Sequence, residues 1–436
     1  MTERDAQRLD AFLADHSSIN YIHLQWLDYS AILRTQIVPL HIAKDLASGS
    51  LDPFTLGEGC MVIPVSTDPK YFADGPEVWE LHPDWASLIP FVSGEGDGEH
   101  ARVNITRCCP RQLFKSVLQS FQEANSTTIL LGFEIEFSLL SATLSSPAVN
   151  PLDPNPGHSS TSGLRNPSRL SLLTSIATSL HASGIPVRKF HTEGVEQYEI
   201  ALCPKPALEA IDALLHAHET IRRHALAANL QATFAVHPLL NNHPISFNSC
   251  HIHLSLNPPP ENPSVTNAFL AGIMRKLSAL CALGMPNFDS YSCVQTMYAS
   301  WIGFGTQNRH LPVRKIAQNR WELRFVDATA NMYLVVALVL MSGGEGMREE
   351  RVLVHRDMEE VYPGEMSEEE LAAFGVVKRL PRDLEDAVAQ LKKDVQVRAW
   401  MGEEMFGRFV GVKEVECRYF GEMTVEERRL KFVRAF

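Results

Sequence analysis

No apolar run in this chain is long enough to suggest a bilayer span. The strongest, Met332 to Met341, is about half of the roughly 20 residues that a spanning helix needs, so it reads as a buried helix. The eight cysteines (60, 108, 109, 203, 250, 281, 293 and 417) contain no CxxC pair, which argues against a zinc ribbon or a disulfide framework and for reduced, buried thiols. Neither GxxxxGK[ST] nor GxGxxG occurs, so a nucleotide site here would not be built on a phosphate loop. Basic residues are outnumbered, 39 to 51, and a formal net charge of -12 is the wrong sign for a general nucleic-acid partner. The N-terminus (MTERDAQRLDAFLADHSS) lacks the apolar stretch of a secretory leader and is too acidic for a transit peptide, so the chain reads as cytoplasmic and free of membrane spans.

What is present is ordinary globular material. With 45% apolar residues in 436, there is enough for a large core divided between two to four domains. Residues 20 to 40 read as two strands around the polar turn Asp28 to Ala31, and residues 50 to 100, rich in Gly, Pro and Asp, as loops and short strands. The chain thus begins as a small β-rich domain, 1–107. At Cys109-Pro110 the pattern changes: Leu113, Phe114, Val117, Leu118 and Phe121 recur at helical spacing and open a second domain, 108–436. Ser145 to Pro167 has no periodicity and reads as a long surface loop or flap. Helices are expected over Ser168 to Ser183 and Pro206 to Ala228, and exposed amphipathic helices near the C-terminus.

Four segments share one pattern. In a strand, residues i and i+2 lie on the same face. Phe133, Ile135 and Phe137 therefore oppose Glu134 and Glu136; Tyr198 and Ile200 oppose Gln197 and Glu199. Ile252, Leu254 and Leu256 oppose His251, His253 and Ser255, and Trp321, Leu323 and Phe325 oppose Glu322 and Arg324. One reading is a sheet whose outer face is simply wet. The other starts from what these faces hold: four carboxylates and two imidazoles, with no lysine. Crowded carboxylates raise one another's pKa unless cations compensate, and hard divalent ions such as Mg²⁺ or Mn²⁺ suit oxygen ligands with an occasional histidine. Arg309, Arg314 and Arg324 add guanidinium forks of the kind that hold phosphates, so a sheet-borne ATP site with two metal ions is coherent.

At this point the motifs GFEIEF, HTEGVEQYEI, ATFAVHP, CHIHLSL, NRHLPVR and RWELRFVDATANMYL, in this order, resemble those of the glutamine synthetase family, in particular its prokaryotic type and FluG-like fungal relatives. The resemblance implies an α+β fold: a small β-grasp N-terminal domain, then a catalytic domain with a curved antiparallel sheet flanked by helices. It implies one metal ion at Glu134, His251 and Glu322 and a second at Glu136, Glu193 and Glu199. His253 and Ser255 would contact the nucleotide, Arg309 and Arg314 its phosphates, and Arg324 the substrate or its phosphorylated form, with Arg309 and Arg324 acting in catalysis. The implied activity is ATP-dependent ligation of a carboxylate, the glutamate γ-carboxylate in most members, to ammonia or a larger amine, within a large ring-shaped homo-oligomer.

The substrate end departs from the family pattern. Its glycine-rich approach to the metal histidine is SFNSCH here, with Phe247, Asn248 and Ser249; Cys293 stands near an expected substrate arginine, Met297 near the flap glutamate, His237 in place of a lysine, and Glu196 where glycine is common. A methionine suits an organic amine better than ammonium. The competing expectation is a noncatalytic regulatory or assembly protein on the same scaffold. Among the other candidates, Cys108 and Cys109 read as inert thiols, His237 and His243 as structural or surface residues, and Asp28 as a turn former. Ser367 reads as a helix cap with a solvated acidic run behind it.

Overall fold

The structure, a computed structural model, describes the chain except residue 1, residue 58 and the segments 66–77, 93–98, 106–108, 142–157, 195–196, 239–246 and 293–299. The chain opens with helix α1 (Thr2–Asp15), then β1 (Tyr21–Leu27), β2 (Leu33–Pro39), α2 (Leu40–Ser48), β3 (Thr55–Gly57), α3 (Gly59–Val62), β4 (Val78–Glu80), β5 (Pro83–Pro90) and β6 (His100–Ile105). The expected hairpin is present. Asp28 closes its turn by accepting from the backbone N–H of Ile32 at 2.8 Å and from Arg34 Nη2 at 2.8 Å, while Ala31 takes the left-handed conformation (φ 63°). A four-stranded sheet has the order β2-β1-β6-β5, with β1 and β6 parallel.

The β-rich reading of this region omits three helices. In α1, Leu9 is buried with Phe12 and Leu13 packed against the core, an i, i+3, i+4 stripe among the charges that otherwise argue only against a leader. The expected boundary near residue 107 falls in 106–108, outside the described residues. Arg111 reaches back across it to the buried Asp84 (2.9 Å) and is held on its own side by Asp212 (2.7 Å), to which Tyr333 donates at 2.5 Å.

Beyond it come α4 (Pro110–Asn125), β7 (Thr128–Ser141), α5 (Pro167–Ala182), β8 (Val187–Thr192), β9 (Gln197–Leu202), β10 (Lys205–Pro206), α6 (Ala207–Ala227), β11 (Leu230–Thr233), β12 (Cys250–Asn257) and α7 (Pro263–Gly284). These are followed by β13 (Phe304–Thr306), β14 (Val313–Ala317), β15 (Arg320–Leu323), α8 (Met332–Arg348), α9 (Glu368–Ala373), α10 (Leu384–Lys393), α11 (Val395–Met401), α12 (Glu403–Gly421) and α13 (Val425–Ala435). Among the described residues the large sheet has nine strands in the order β13-β14-β15-β12-β7-β9-β8, with β10 and β11 paired to β7. All its pairings are antiparallel except β13–β14, a parallel exception to the antiparallel sheet expected.

One face of this sheet is aliphatic and aromatic: Phe133, Ile135, Phe137, Ile200, Ile252, Leu254, Trp321 and Leu323 are buried with α6, α7 and α8. The run Met332 to Met341 is the buried start of α8, and no helix among the described residues is long and apolar enough to cross a membrane. Gly272 of α7 and Gly346 of α8 allow these helices to touch, because a Cβ on Gly272 would lie 2.0 Å from the carbonyl oxygen of Ser342. The C-terminal helices are less exposed than expected. In α12, Phe406, Phe409, Val410, Lys413, Glu416 and Phe420 are buried, and Glu416 accepts from Ser30 and from the Val65 N–H. Ser367 caps α9 in a capping box, as expected. Most of the expected flap lies outside the described residues; of the rest, residues 161–164 form a single 3₁₀ turn.

Candidate active site

The polar face of the sheet is not wet. Glu322, Glu199, Glu136 and His251 have relative exposures of 0, 5, 6 and 6%. Strand register explains how they meet, since neighbouring strands lie about 4.8 Å apart and opposed side chains come within reach. Pairing of β12 with β7 sets His251 opposite Glu134, pairing with β15 sets His253 opposite Glu322, and β14 sets Arg314 opposite Glu322. On the other side of β7, β9 sets Glu199 opposite Glu136, and β8 sets His191 opposite Glu199. The alternation of each strand thus becomes two adjoining clusters.

In the first cluster His251 Nδ1 lies 3.6 Å from both Glu134 Oε2 and Glu322 Oε1, and His253 Nε2 lies 3.2 Å from Glu134 Oε1. Arg314 donates to Glu322 Oε2 at 2.5 Å and Arg324 to Glu322 Oε1. Burial acts against a charged Glu322, but His251, Arg324 and Arg314 outweigh it and hold the carboxyl down at about 2. Glu134 is held below the usual carboxylate range in the same way, burial being overcome by hydrogen bonds from the two histidines. Glu134, His253 and Glu322 present ligand atoms within 4.8 Å of one another.

The second cluster joins β7, β8 and β9. His191, Glu193 and Glu199 form another group with ligand atoms within 4.8 Å. Glu136 adjoins it, with Oε2 accepting from Gln197 Nε2 (2.7 Å) and from the Ser249 N–H (2.9 Å) and Oε1 3.9 Å from His251 Nδ1. Burial, the dominant influence, pushes the Glu136 carboxyl up. The SFNSCH segment that delivers the Ser249 N–H is tied down by Asn248, whose amide donates to the carbonyls of Thr233 (3.1 Å) and Ala235 (2.9 Å). A side-chain anchor therefore fixes backbone that is glycine-rich in the family pattern. Glu199 Oε1 and His253 Nε2, one in each ligand group, are buried and are met by charged neighbours, Glu199 Oε1 by Lys189 Nζ (3.1 Å) and His191 Nε2 (3.2 Å), His253 Nε2 by Glu134 Oε1 (3.2 Å). Oxygen-rich donors with an occasional imidazole fit hard divalent cations.

Both clusters border one cavity of about 680 Å³. Of the expected residues, Glu134, Glu136, Glu193, Glu199, His251, Arg309 and Arg324 line it. Glu322 and His253 stand directly behind, in contact with that lining, and Arg314 stands behind them, paired to Glu322. Ser255 does not join them; it lies farther along β12, opposite Arg320. Arg309 is exposed at the cavity wall and makes no ion pair among the described residues. Sequence reasoning missed His191 and Lys189, although Lys189, His191 and Glu193 follow the same i, i+2 alternation. It also missed Tyr362 and His158, which come from loops without pattern. Lys189 Nζ lies 3.1 Å from Glu199 Oε1, so the lysine absent from the four strands is supplied by β8. Cys293, Met297, Glu196, Cys108 and His243 lie outside the described residues. Cys109 is buried and His237 meets Ser292 Oγ at 2.6 Å, both structural positions.

Comparison with known proteins bears on this geometry. A family model described as the glutamine synthetase catalytic domain matches residues 107–432. Protein fluG of Emericella nidulans is 28% identical over 451 residues, which take in 98% of this chain and 50% of that protein; the chain spans about half the length of this relative. The glutamine synthetase of Staphylococcus epidermidis is 22% identical over 455 residues, 97% of each chain. Among solved structures, a novel glutamine synthase homolog aligns with a TM-score of 0.79 at 20% identity, over 96% of this chain and 99% of that one. GmaS in complex with ADP gives 0.78 at 21% identity, over 97% and 98%. At these identities the structural likeness is one of fold.

Proposed function

Because the chain belongs to the glutamine synthetase family, we propose that it is an ATP-dependent ligase that joins a carboxylate, the γ-carboxylate of glutamate, to an organic amine. The observation that carries this reading is the convergence of two hard-ligand groups and the Arg309 and Arg324 guanidiniums on one cavity. A carboxylate is a poor acyl electrophile; transfer of the γ-phosphoryl group of ATP makes it an acyl phosphate, which the amine opens as inorganic phosphate leaves.

Divalent ions, Mg²⁺ or Mn²⁺, would be held by Glu134, Glu322, His251 and His253 on one side and by Glu136, His191, Glu193 and Glu199 on the other. When bound they would offset the charge that builds on the transferred phosphoryl group. Arg309, exposed at the wall, binds phosphate oxygens. Arg324, aimed through Glu322, is set to stabilise the acyl-phosphate charge, and Arg314 keeps Glu322 ionised. His253, behind Glu134, would contact the nucleotide, whereas Ser255 stands farther along β12 and does not line the cavity. Tyr362 and His310, whose rings meet at 4.5 Å, add an aromatic pair to the cavity wall.

ADP release measured with ATP, Mg²⁺, glutamate and a panel of primary amines tests the reading, with Glu136→Ala as the blank. Turnover with an alkylamine above the ammonia rate supports it. Tight Mg²⁺-dependent ATP binding with no ADP formed from any amine contradicts it and favours a noncatalytic, regulatory role. The 28% identity to fluG, matched over about half of that longer protein, keeps that second reading in view.

A further inference from the structure

Five carboxylates, Glu134, Glu136, Glu193, Glu199 and Glu322, meet four permanent cations, Lys189, Arg309, Arg314 and Arg324, in and behind the cavity. Three of those cations are the guanidiniums already assigned to phosphate or to Glu322. Lys189 is different: it stands inside the second ligand group. It reaches there from β8, where the strand's alternation places it on the face of His191. Its Nζ lies 3.1 Å from Glu199 Oε1 and 3.1 Å from His191 Nε2, and that imidazole nitrogen is itself 3.2 Å from the same carboxylate oxygen. An ammonium has only hydrogens to offer, so both contacts occupy lone pairs that a cation would use.

We propose that Lys189 is a built-in rival of the second divalent ion: when no ion is bound it neutralises Glu199, and the His191, Glu193, Glu199 group takes a divalent cation only by displacing it. The inference rests on the reading of this cavity as a divalent-cation site and adds a determinant of how strongly that site fills. Lys189 can serve as such a rival because half of its side chain is solvent-exposed, leaving it a route out to water on displacement. His191 Nδ1 lies 3.0 Å from the Thr192 carbonyl oxygen, a contact that holds the ring in place whether Lys189 stays or leaves. The nearly balanced charge of the cavity has a corollary. Two divalent ions would make it strongly positive, so the weaker one is retained best when a polyanionic nucleotide enters with it.

The test is Mn²⁺ binding to the full chain, followed by the electron paramagnetic resonance signal of free Mn²⁺, for the wild type and for Lys189→Met, Lys189→Ala and Lys189→Arg. Neutral side chains are expected to tighten one of the two classes of Mn²⁺ site at least about tenfold, whereas arginine, which keeps the charge, leaves it within about threefold. The other class should move little in all variants. Equal or weaker Mn²⁺ binding in both neutral variants, with circular dichroism unchanged, overturns the proposal and leaves the ligase reading standing. Absence of Mn²⁺ binding in the wild type and in every variant overturns both.

Discussion

Replacing Glu322 by glutamine should destabilise the ion-free protein by about 3 kcal/mol near pH 7. The carboxylate is fully buried, with Arg324 donating to one oxygen and Arg314 to the other at 2.5 Å. Its carboxyl is held at about 2, against roughly 4.3 in an unfolded chain. Two pK units and a fraction correspond to about 3 kcal/mol of stabilisation. A glutamine keeps the shape but must turn its NH₂ toward one of two guanidiniums, setting donor against donor where a buried charge pair stood, a loss of the size seen when one partner of a buried pair is removed. The sign follows from the direction of the shift. The folded value is depressed, so the contribution is complete above the unfolded value and is lost as pH falls through the folded one. Roughly half should be gone near pH 3. Urea unfolding in EDTA, monitored by tryptophan fluorescence, measures the gap between wild type and Glu322→Gln at several pH values. A gap below about 0.5 kcal/mol near pH 7, or one that does not shrink on acidification, would refute the reasoning.

Glu134→Gln should abolish most of the thermal stabilisation given by Mn²⁺, which for a ligand at about 100 times its Kd approaches 3 kcal/mol; an undiminished shift in scanning fluorimetry would move the ion elsewhere. Asp212→Asn removes the charge opposite Arg111 and one of the two oxygens that Arg111 and Tyr333 share, and should cost about 3 kcal/mol and speed hydrogen exchange in β6, which exchange mass spectrometry would report. Gly272→Ala drives a Cβ to within 2.0 Å of the Ser342 carbonyl and should lower stability by about 2 kcal/mol, read from the urea midpoint, without changing the ion affinity. In light scattering the chain should behave as a homo-oligomer larger than a tetramer, and a monomer at micromolar concentration would contradict the expected ring.

Much of the site was legible because strands advertise their faces. Glu134, Glu136, His251 and Glu322 each stand between apolar neighbours that pack the core, so period two identified the face, although it could not say whether that face was wet or enclosed. Enclosure depends on pairing, which sets Glu199 opposite Glu136 and His253 opposite Glu322 across more than 50 residues of sequence. Lys189 and His191 escaped notice because β8 carries few apolar residues, its pattern being half-buried and exposed. Helix α1 was missed because its buried stripe is narrow, and the parallel pairing β1–β6 because register between distant strands leaves no local mark. The anchor of the SFNSCH segment was likewise hidden, since Asn248 bonds to carbonyls of Thr233 and Ala235 that only the fold brings near.

The most direct test is a crystal of this protein grown with Mn²⁺ and ADP, with anomalous differences collected at the manganese edge. Two peaks should stand in the cavity, one within coordination distance of Glu134 and Glu322 with His251 or His253, the other of Glu193 and Glu199 with His191 or Glu136. An ordered ADP with no manganese peak touching any of these carboxylates would contradict the account.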